Sequence, residues 1–385
     1  MSATAERAAA GLPDLLYGEH ETELRAAVRS LLGDRCGWHE VLARTETAQT
    51  YDTGLWRALA ADLGGAGLLI PEASGGAGAS YREAAVVAEE TGRAVAPVPF
   101  LGSAVVATAA LLSADDDELL AALADGAVTA ALTIPFAAGP AAPEPTARIA
   151  ASPPGEPGYR LYGTVAGIAD ALPADVLLVP ADGVPYGLYA VPAGDAGVSL
   201  SPVVSLDMTR QLADLTLDGA AGRRVASGET ARRAVAAALT AGAAVLASEQ
   251  LGVAERCLEM TVAYLKERRQ FGRPIGSFQA LKHRVADVWV GVTQARAAAR
   301  YAAACLAGGD PDAPVAVALA KAACSDIALR AAQECLQLHG GIGFTWEHPT
   351  HLYLKRAKSS SIGFGTADRH RAALAGLADL PGPVA

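Results

Sequence analysis

Cysteine is scarce in this chain, proline vanishes from one long stretch, and positive charge is outnumbered. Five cysteines, Cys36, Cys257, Cys305, Cys324 and Cys335, stand apart with no CxxC pair. An odd, dispersed set inside helical-looking segments reads as small buried side chains in a reducing cytosol, so a cytoplasmic protein is expected. No zinc-ligand spacing, P-loop or GxSxG elbow occurs, which leaves metal and covalent-hydrolase readings without support. Lys and Arg number 31 against 41 Asp and Glu, a net charge of −10. That balance argues against nucleic acid or an anionic membrane surface as the main partner, because phosphate binding needs clustered cations. The first thirty residues carry Glu6, Asp14, Glu19, Glu21 and Glu23 and no apolar run of the signal-peptide kind. Ala234 to Ser248 is uncharged over fifteen residues, short for a membrane span and suited to a buried helix. No internal repeat is evident.

What is present divides the chain in three. Its 385 residues are 51% apolar, enough for two or three packed subdomains, and much of the apolar content is alanine, which favours closely packed helices. Fourteen of the 22 prolines fall between Pro97 and Pro202, and none between Val203 and Arg273. Proline suits turns and strand edges and not helix interiors, so a β-rich middle between helical flanks is expected. The boundaries read as 1–125 helical, 126–228 β, and 229–385 helical. Helical patterning runs from Glu21 to about Asp34, Gly54 to Leu63 and Tyr81 to Gly92. Short β-like runs cover Val128–Ile134, Tyr159–Val165, Val176–Val179, Gly187–Val191 and Leu212–Leu217, as a small barrel or sandwich requires. Phe136 to Gly158 reads as a loop. In the last third Leu281, Val285, Val288 and Val292 share one helical face, Gly308-Gly309-Asp310-Pro311 breaks the run, and Val315 to about Leu338 resumes it.

Two segments of that last third carry binding chemistry. Arg268-Arg269-Gln270-Phe271-Gly272 ends one helix and Ser277-Phe278-Gln279 opens the next. Arg268, Gln270, Phe271, Ile275, Phe278 and Leu281 supply the cationic or amide donors a pyrophosphate needs and the apolar wall an adenine needs. Alone, the same residues are a basic helix cap. Gln337-Leu338-His339-Gly340-Gly341 marks a helix end where paired glycines permit close approach; alone it is a glycine cap. His339 and His348 find no partner in sequence and are assigned structural roles.

Taken together with Ser361-Ile362-Gly363-Phe364-Gly365-Thr366, these segments resemble the signatures of the acyl-CoA dehydrogenases, FAD enzymes that desaturate acyl thioesters. The likeness covers nearly the whole chain and implies an α+β fold: a helical N-terminal domain, a central β-barrel or sandwich, and a C-terminal four-helix bundle. It also implies FAD, with Arg268, Gln270, Phe271, Gln337, Gly340 and Gly341 reaching the ADP half of a cofactor held mainly by a neighbour. A homodimer or homotetramer, or a heteromer with a homologous subunit, is therefore expected. Thr366 and Asp368 fall near the cofactor phosphates, and Thr133 falls in the element that approaches flavin and thioester.

Departures from the family pattern sit on the flavin-ring side. The family's Thr-Glu-Pro-x-x-Gly-Ser element is here Thr133-Ile134-Pro135-Phe136-Ala137-Ala138-Gly139, and its aromatic-x-Thr strand is Gly167-Ile168-Ala169. Asp207-Met208-Thr209-Arg210 fits the family and equally a surface turn. The glutamate that removes the α-proton stands before Gly-Thr in most members; Phe364 occupies that position. Some relatives carry it on an earlier helix, at a position matching Gly242, and Glu249 lies seven residues on, about two turns along the same face. A carboxylate held dry beside a thioester is a good base; a phenyl ring accepts no proton. The leading expectation is an FAD-dependent dehydrogenase of an acyl-CoA or acyl-carrier-protein thioester with an atypical or missing base, Glu249 being the weak candidate. The alternatives are a non-catalytic subunit completing the FAD site of a Glu-bearing homologue, and a flavin oxygenase on the same fold.

Overall fold

The computed structural model describes residues 14–151 and 158–379. The early acidic residue Glu6 and part of the 136–158 segment lie outside them. Among the described residues six α-helices come first: α1 Glu19–Arg35, α2 Trp38–Thr45, α3 Thr53–Arg57, α4 Tyr81–Arg93, α5 Thr108–Ala114 and α6 Asp117–Leu123, with π-helical turns at Ala58–Asp62 after α3 and Phe100–Ala107 before α5. Helix α4 starts where Ser80 caps it: the Ser80 hydroxyl accepts the Arg82 amide at 3.1 Å, and the Glu83 carboxylate accepts the Ser80 amide at 2.8 Å. Behind the cap, Ala84 to Ala88 are all buried, so α4 runs through the middle of the N-terminal domain.

Seven strands follow: β1 Ala130–Leu132, β2 Ala147–Ala151, β3 Tyr159–Ala169, β4 Val176–Asp182, β5 Gly187–Pro192, β6 Val198–Val203 and β7 Leu212–Ser227. Strand β4 takes β1 and β2 in parallel along one edge and β5 along the other, while β7 takes β3 on one edge and β5 and β6 on the other. With β2 paired to β3, hydrogen bonding returns to its start and the sheet closes as a barrel. Its interior is filled by Leu161, Val165, Leu177, Val179, Tyr189, Leu215 and Leu217. The supposed loop from Phe136 to Gly158 is corrected: it contains β2, whose short Ala-Arg-Ile-Ala-Ala run gains strand character from pairing with β3. Strand β6 was also hidden, as an isolated Val-Ser-Leu-Ser alternation too short to stand out.

The last third is helical: α7 Gly228–Glu267, the hairpin β8 Arg269–Gln270 with β9 Arg273–Pro274, α8 Gln279–Ala307, α9 Ala313–His339, α10 Thr350–Ser360 and α11 Ala367–Leu377. Helices α7, α8 and α9 pack on one another, and α10 and α11 pack on α9. Helix α7 is apolar and long enough to cross a membrane, but 83% of its most apolar window is buried inside the protein. It is the central column of the fold. Where α7 crosses α4, glycines face backbone. A Cβ on Gly252 would lie 1.8 Å from the Glu89 carbonyl oxygen, and one on Gly92 would lie 2.1 Å from that of Glu249. The two helices touch main chain to main chain, which fixes Glu249 at the junction of all three domains.

Candidate functional site

Three segments that are distant in sequence are sewn together by backbone bonds. The Phe136 amide donates to the Gly167 carbonyl at 2.8 Å, and the Phe364 amide donates to the Phe136 carbonyl at 2.8 Å. The turn at Phe364 has φ +51°, a left-handed conformation unusual for a bulky residue. Glycines allow the close approach: a Cβ on Gly363 would meet the Phe136 ring at 2.3 Å, and one on Gly365 would meet the Gly139 carbonyl at 2.7 Å. From beneath, Lys321 on α9 holds the turn, its ammonium lying 2.7 Å from the Ser325 hydroxyl and 3.2 Å from the carbonyls of Ser360 and Gly365. Burial pushes this ammonium down to about 8. On the other side His370 donates from Nε2 to the Phe364 carbonyl at 2.8 Å, leaving its buried Nδ1 without a partner.

The phenyl ring of Phe364 is buried and lies directly over Gly242. A Cβ placed on Gly242 would come within 2.7 Å of the Phe364 Cζ. The same ring meets Phe136 edge-on, with centroids 5.5 Å apart. Both positions at which the resemblance places a base therefore converge on one spot, and a hydrocarbon ring fills it.

Glu249 is buried beside this plug in a double arginine clamp. Its Oε2 is 2.5 Å from Nη2 of Arg210, its Oε1 is 2.8 Å from Nε of Arg356, and the Ser360 hydroxyl reaches Oε1 at 3.4 Å. Burial alone pushes the carboxyl up, but the two guanidiniums outweigh it and hold it down to about 2. A carboxylate so stabilised is a poor proton acceptor, and neither oxygen faces an open site. Beyond the clamp, Arg356 reaches the Thr209 hydroxyl at 3.0 Å and Arg210 stands 4.0 Å from Asp170. Asp170 accepts from the Tyr51 hydroxyl and the Gly102 amide, each at 2.9 Å, and burial pushes its carboxyl up. Arg210 also lies over the Phe136 ring, 5.3 Å from its centroid. The Asp207–Arg210 turn is thus a buried lock between barrel and helices, and not a surface turn.

Next to the plug, Phe136, Ala137, Gly167, Leu206, Leu212 and Ile362 line a groove of about 460 Å³. It is where the resemblance puts the flavin ring. Here the fit is poor. Gly167 faces open space where the family carries an aromatic wall, Ala169 has no hydroxyl, and the Thr133 hydroxyl already donates to the Leu178 carbonyl at 3.3 Å.

The residues that the resemblance assigns to the ADP half lie elsewhere. Arg268 and Gln270 are exposed at the end of α7, and Phe271 and Gly272 form the two-residue tip of the β8–β9 hairpin, both at positive φ. Phe271 is 88% exposed, and Phe278, with Arg273 stacked over it at 4.1 Å, stands 5.9 Å from it. Ile275 and Leu281 are half-buried behind the hairpin. Gln337, Gly340 and Gly341 are exposed at the end of α9, with open space beside both glycines. This end packs on the last turns of α7 through Tyr264, whose ring stacks on His339 at 4.5 Å; His348 lies tilted against His339 with centroids 4.3 Å apart. Exposed donors, an unclad aromatic ring and bare glycine backbone suit a ligand that a second chain covers.

One chain does not gather the whole set. Lys321 touches the Gly365 end of the site, and Gln337 is sixteen residues further along α9, roughly 24 Å at the helical rise. Thr366 and Asp368 stay with the plug at the start of α11, Asp368 exposed and paired to Arg371 at 2.9 Å. Sequence reasoning missed Tyr51, Asp170, Lys321 and Arg356. The one available signal was charge set within apolar helical patterns, as at Lys321 and Arg356.

A closed barrel between helical layers is the architecture of the oxidoreductase class that the sequence resemblance implies. The comparisons place the chain in that class: residues 18–122 match the acyl-CoA dehydrogenase N-terminal domain and residues 232–376 the acyl-CoA dehydrogenase C-terminal domain. The chain belongs to the acyl-CoA dehydrogenase family, as an oxidoreductase of that type. It is 38% identical over 345 residues to the acyl-CoA dehydrogenase IpdE2 of Mycobacterium tuberculosis, spanning 89% of this chain and 92% of that one. A variant of the Tcur3481-Tcur3483 steroid ACAD superposes with TM-score 0.81 at 34% identity, over 95% of this chain and 99% of that one. The ChsE4-ChsE5 complex from Mycobacterium tuberculosis gives TM-score 0.83 at 30% identity, over 96% and 100%.

Proposed function

We propose that this chain is the base-less subunit of a heteromeric, FAD-dependent acyl-CoA dehydrogenase. It completes a flavin site whose ring pocket and catalytic carboxylate belong to a homologous subunit. The observation that carries this reading is the plug: Phe364 lies over Gly242, and Glu249, two helical turns along α7, is neutralised by Arg210 and Arg356. One of the similar structures is the ChsE4-ChsE5 complex and another bears the double name Tcur3481-Tcur3483, which supports it. In this reading Arg268 and Gln270 bind the pyrophosphate of the partner's cofactor, Phe271 covers its adenine, and Gly340 and Gly341 let backbone approach it. When bound, FAD supplies the hydride acceptor for α,β-desaturation. The acyl group proposed is bulky and polycyclic, on the strength of the similar steroid ACAD. The proposed setting is the cytoplasm.

Flavin stoichiometry tests the reading. The purified chain should hold little FAD, and its complex with a homologue bearing Glu before Gly-Thr should hold one FAD per pair of subunits. One tightly bound FAD on each unmixed protomer would overturn it.

A further inference from the structure

A cleft separate from the flavin groove opens where the N-terminal helices meet the C-terminal bundle, with a volume of about 260 Å³. Helices α1 and α4 bring Arg29 and Arg93 to it, and α7 brings Arg256 from across the domain boundary. Leu32, Trp38, Met260 and the Tyr353 ring give it an apolar wall. Its lining includes no residue of the Phe364 plug, of the Glu249 clamp or of the set assigned to the cofactor.

Charge in and beside the cleft does not balance. Glu90 is shared by Arg29 and Arg25, Glu89 by Arg25 and Arg300, and Glu259 by Arg93 and Arg256. Five arginines thus divide three carboxylates, which leaves two positive charges over in a protein whose net charge is −10. Glu40, turned back over Gly37 on the α2 side, offsets at most one of them. The surplus falls on one residue. Arg29 sets two guanidinium nitrogens on Glu90, at 2.8 and 2.6 Å, and Arg93 sets two on Glu259. Arg256 reaches Glu259 at 3.5 Å, too long for a strong bond, and lies beside the Tyr353 hydroxyl. Its planar fork has donors to spare. An apolar wall with one loosely held guanidinium at its edge suits an organic acid, whose carboxylate takes the fork while its body leaves water. A cavity of roughly 150 Å³ admits benzene, so about 260 Å³ admits one ring bearing a carboxylate.

We propose that this interdomain cleft is a binding site for a small monocyclic carboxylic acid, anchored by Arg256, with its ring against Leu32, Trp38 and Met260. The site stands apart from the flavin. Its test needs neither flavin nor turnover, so it fails or stands separately from the heteromer reading.

Isothermal titration of the full chain with cyclohexanecarboxylate, at neutral pH and low salt, measures it. One acid should bind per protomer, about tenfold more tightly than cyclohexanecarboxamide, which keeps the ring and lacks the charge. Acetate keeps the charge and lacks the ring, and it too should bind about tenfold more weakly. Arg256→Gln should remove the preference for acid over amide, and Arg256→Lys should keep part of it. Met260→Trp fills the cleft from its apolar side and should abolish binding with Arg256 in place, whereas Arg330→Gln, outside the cleft, should change nothing. Circular dichroism checks that each variant is folded, and the three ligands on the wild-type chain decide the matter if one is not. No binding up to ~20 mM acid, equal binding of acid and amide, or a preference that survives Arg256→Gln would overturn the proposal. So would acetate binding as tightly as the ring acid, because the apolar wall would then contribute nothing.

Discussion

Replacing Glu249 by glutamine keeps its shape and removes its charge, and the outcome follows from the geometry of the clamp. Arg210 and Arg356 are both about 2% exposed, and each places a guanidinium nitrogen on one carboxylate oxygen. Without the carboxylate, two buried cations face one another across an amide, with Asp170 at 4.0 Å and Asp207 at 3.9 Å as their remaining counter-ions. Breaking a buried pair by removing one partner costs roughly 3–5 kcal/mol, because the remaining charge stays desolvated. At about 2–4 °C per kcal/mol, the figure for domains of roughly 150–250 residues, that is a fall in Tm of roughly 6–20 °C at most. Differential scanning calorimetry at pH 7 measures it. The same carboxyl makes stability depend on acid. Its folded value of about 2 lies below the ordinary 4.5, so its contribution is complete above pH 4.5 and is lost as pH falls from 4.5 towards 2. Glu249→Gln should therefore flatten the acid limb in that window. A loss below about 1 kcal/mol, or an acid limb unchanged by the substitution, would refute the clamp as the junction's main lock.

Further outcomes follow from neighbouring contacts. Lys321 titrates near 8 when folded against 10.5 unfolded, so the unfolded chain binds more protons between those values and stability should rise with pH there. At about 1.4 kcal/mol per pH unit the full span is on the order of 3 kcal/mol; Lys321→Met should abolish the rise in urea titrations at pH 8 and 10, and an unaltered rise would exclude Lys321 as its source. Gly252→Ala forces a methyl group into the Glu89 carbonyl and should cost about 1–3 kcal/mol by overpacking, read as a lower urea midpoint. Arg268→Ala should leave the melting temperature of the isolated chain unchanged while weakening FAD retention by the complex by about tenfold or more, the loss of one charge-assisted bond; unchanged retention would return Arg268 to a helix cap.

Much of the fold was legible because its signals are local. Proline density marked the β-domain, the uncharged run Ala234–Ser248 marked α7, and the helical pattern that resumes at Val315 after Gly308-Gly309-Asp310-Pro311 marked α9. What escaped depends on pairing: β2 is a strand because β3 lies beside it, and nothing in Ala147–Ala151 alone demands that. The candidate site was legible as motifs and not as geometry. Phe364 could be seen to replace a carboxylate, but that its ring would cover Gly242 required the crossing of the base turn over α7. Glu249 illustrates the limit most sharply. Its spacing from Gly242 placed it on the right face of a helix, while the arginines that neutralise it arrive from a barrel turn and from α10, 39 and 107 residues away.

The central claim is that this chain cannot remove an α-proton by itself and works through a partner. Steady-state dye reduction, with enoyl-CoA quantified by mass spectrometry, tests it on the FAD-supplemented chain alone, on Phe364→Glu alone, and on the chain mixed with its Glu-bearing homologue. A positioned base is worth roughly 10²–10⁴-fold. The account predicts turnover only in the mixture, with Phe364→Glu alone still silent because Gly167 and Ala169 leave the ring pocket unwalled. Brisk enoyl-CoA formation by the unmixed wild-type chain would contradict it.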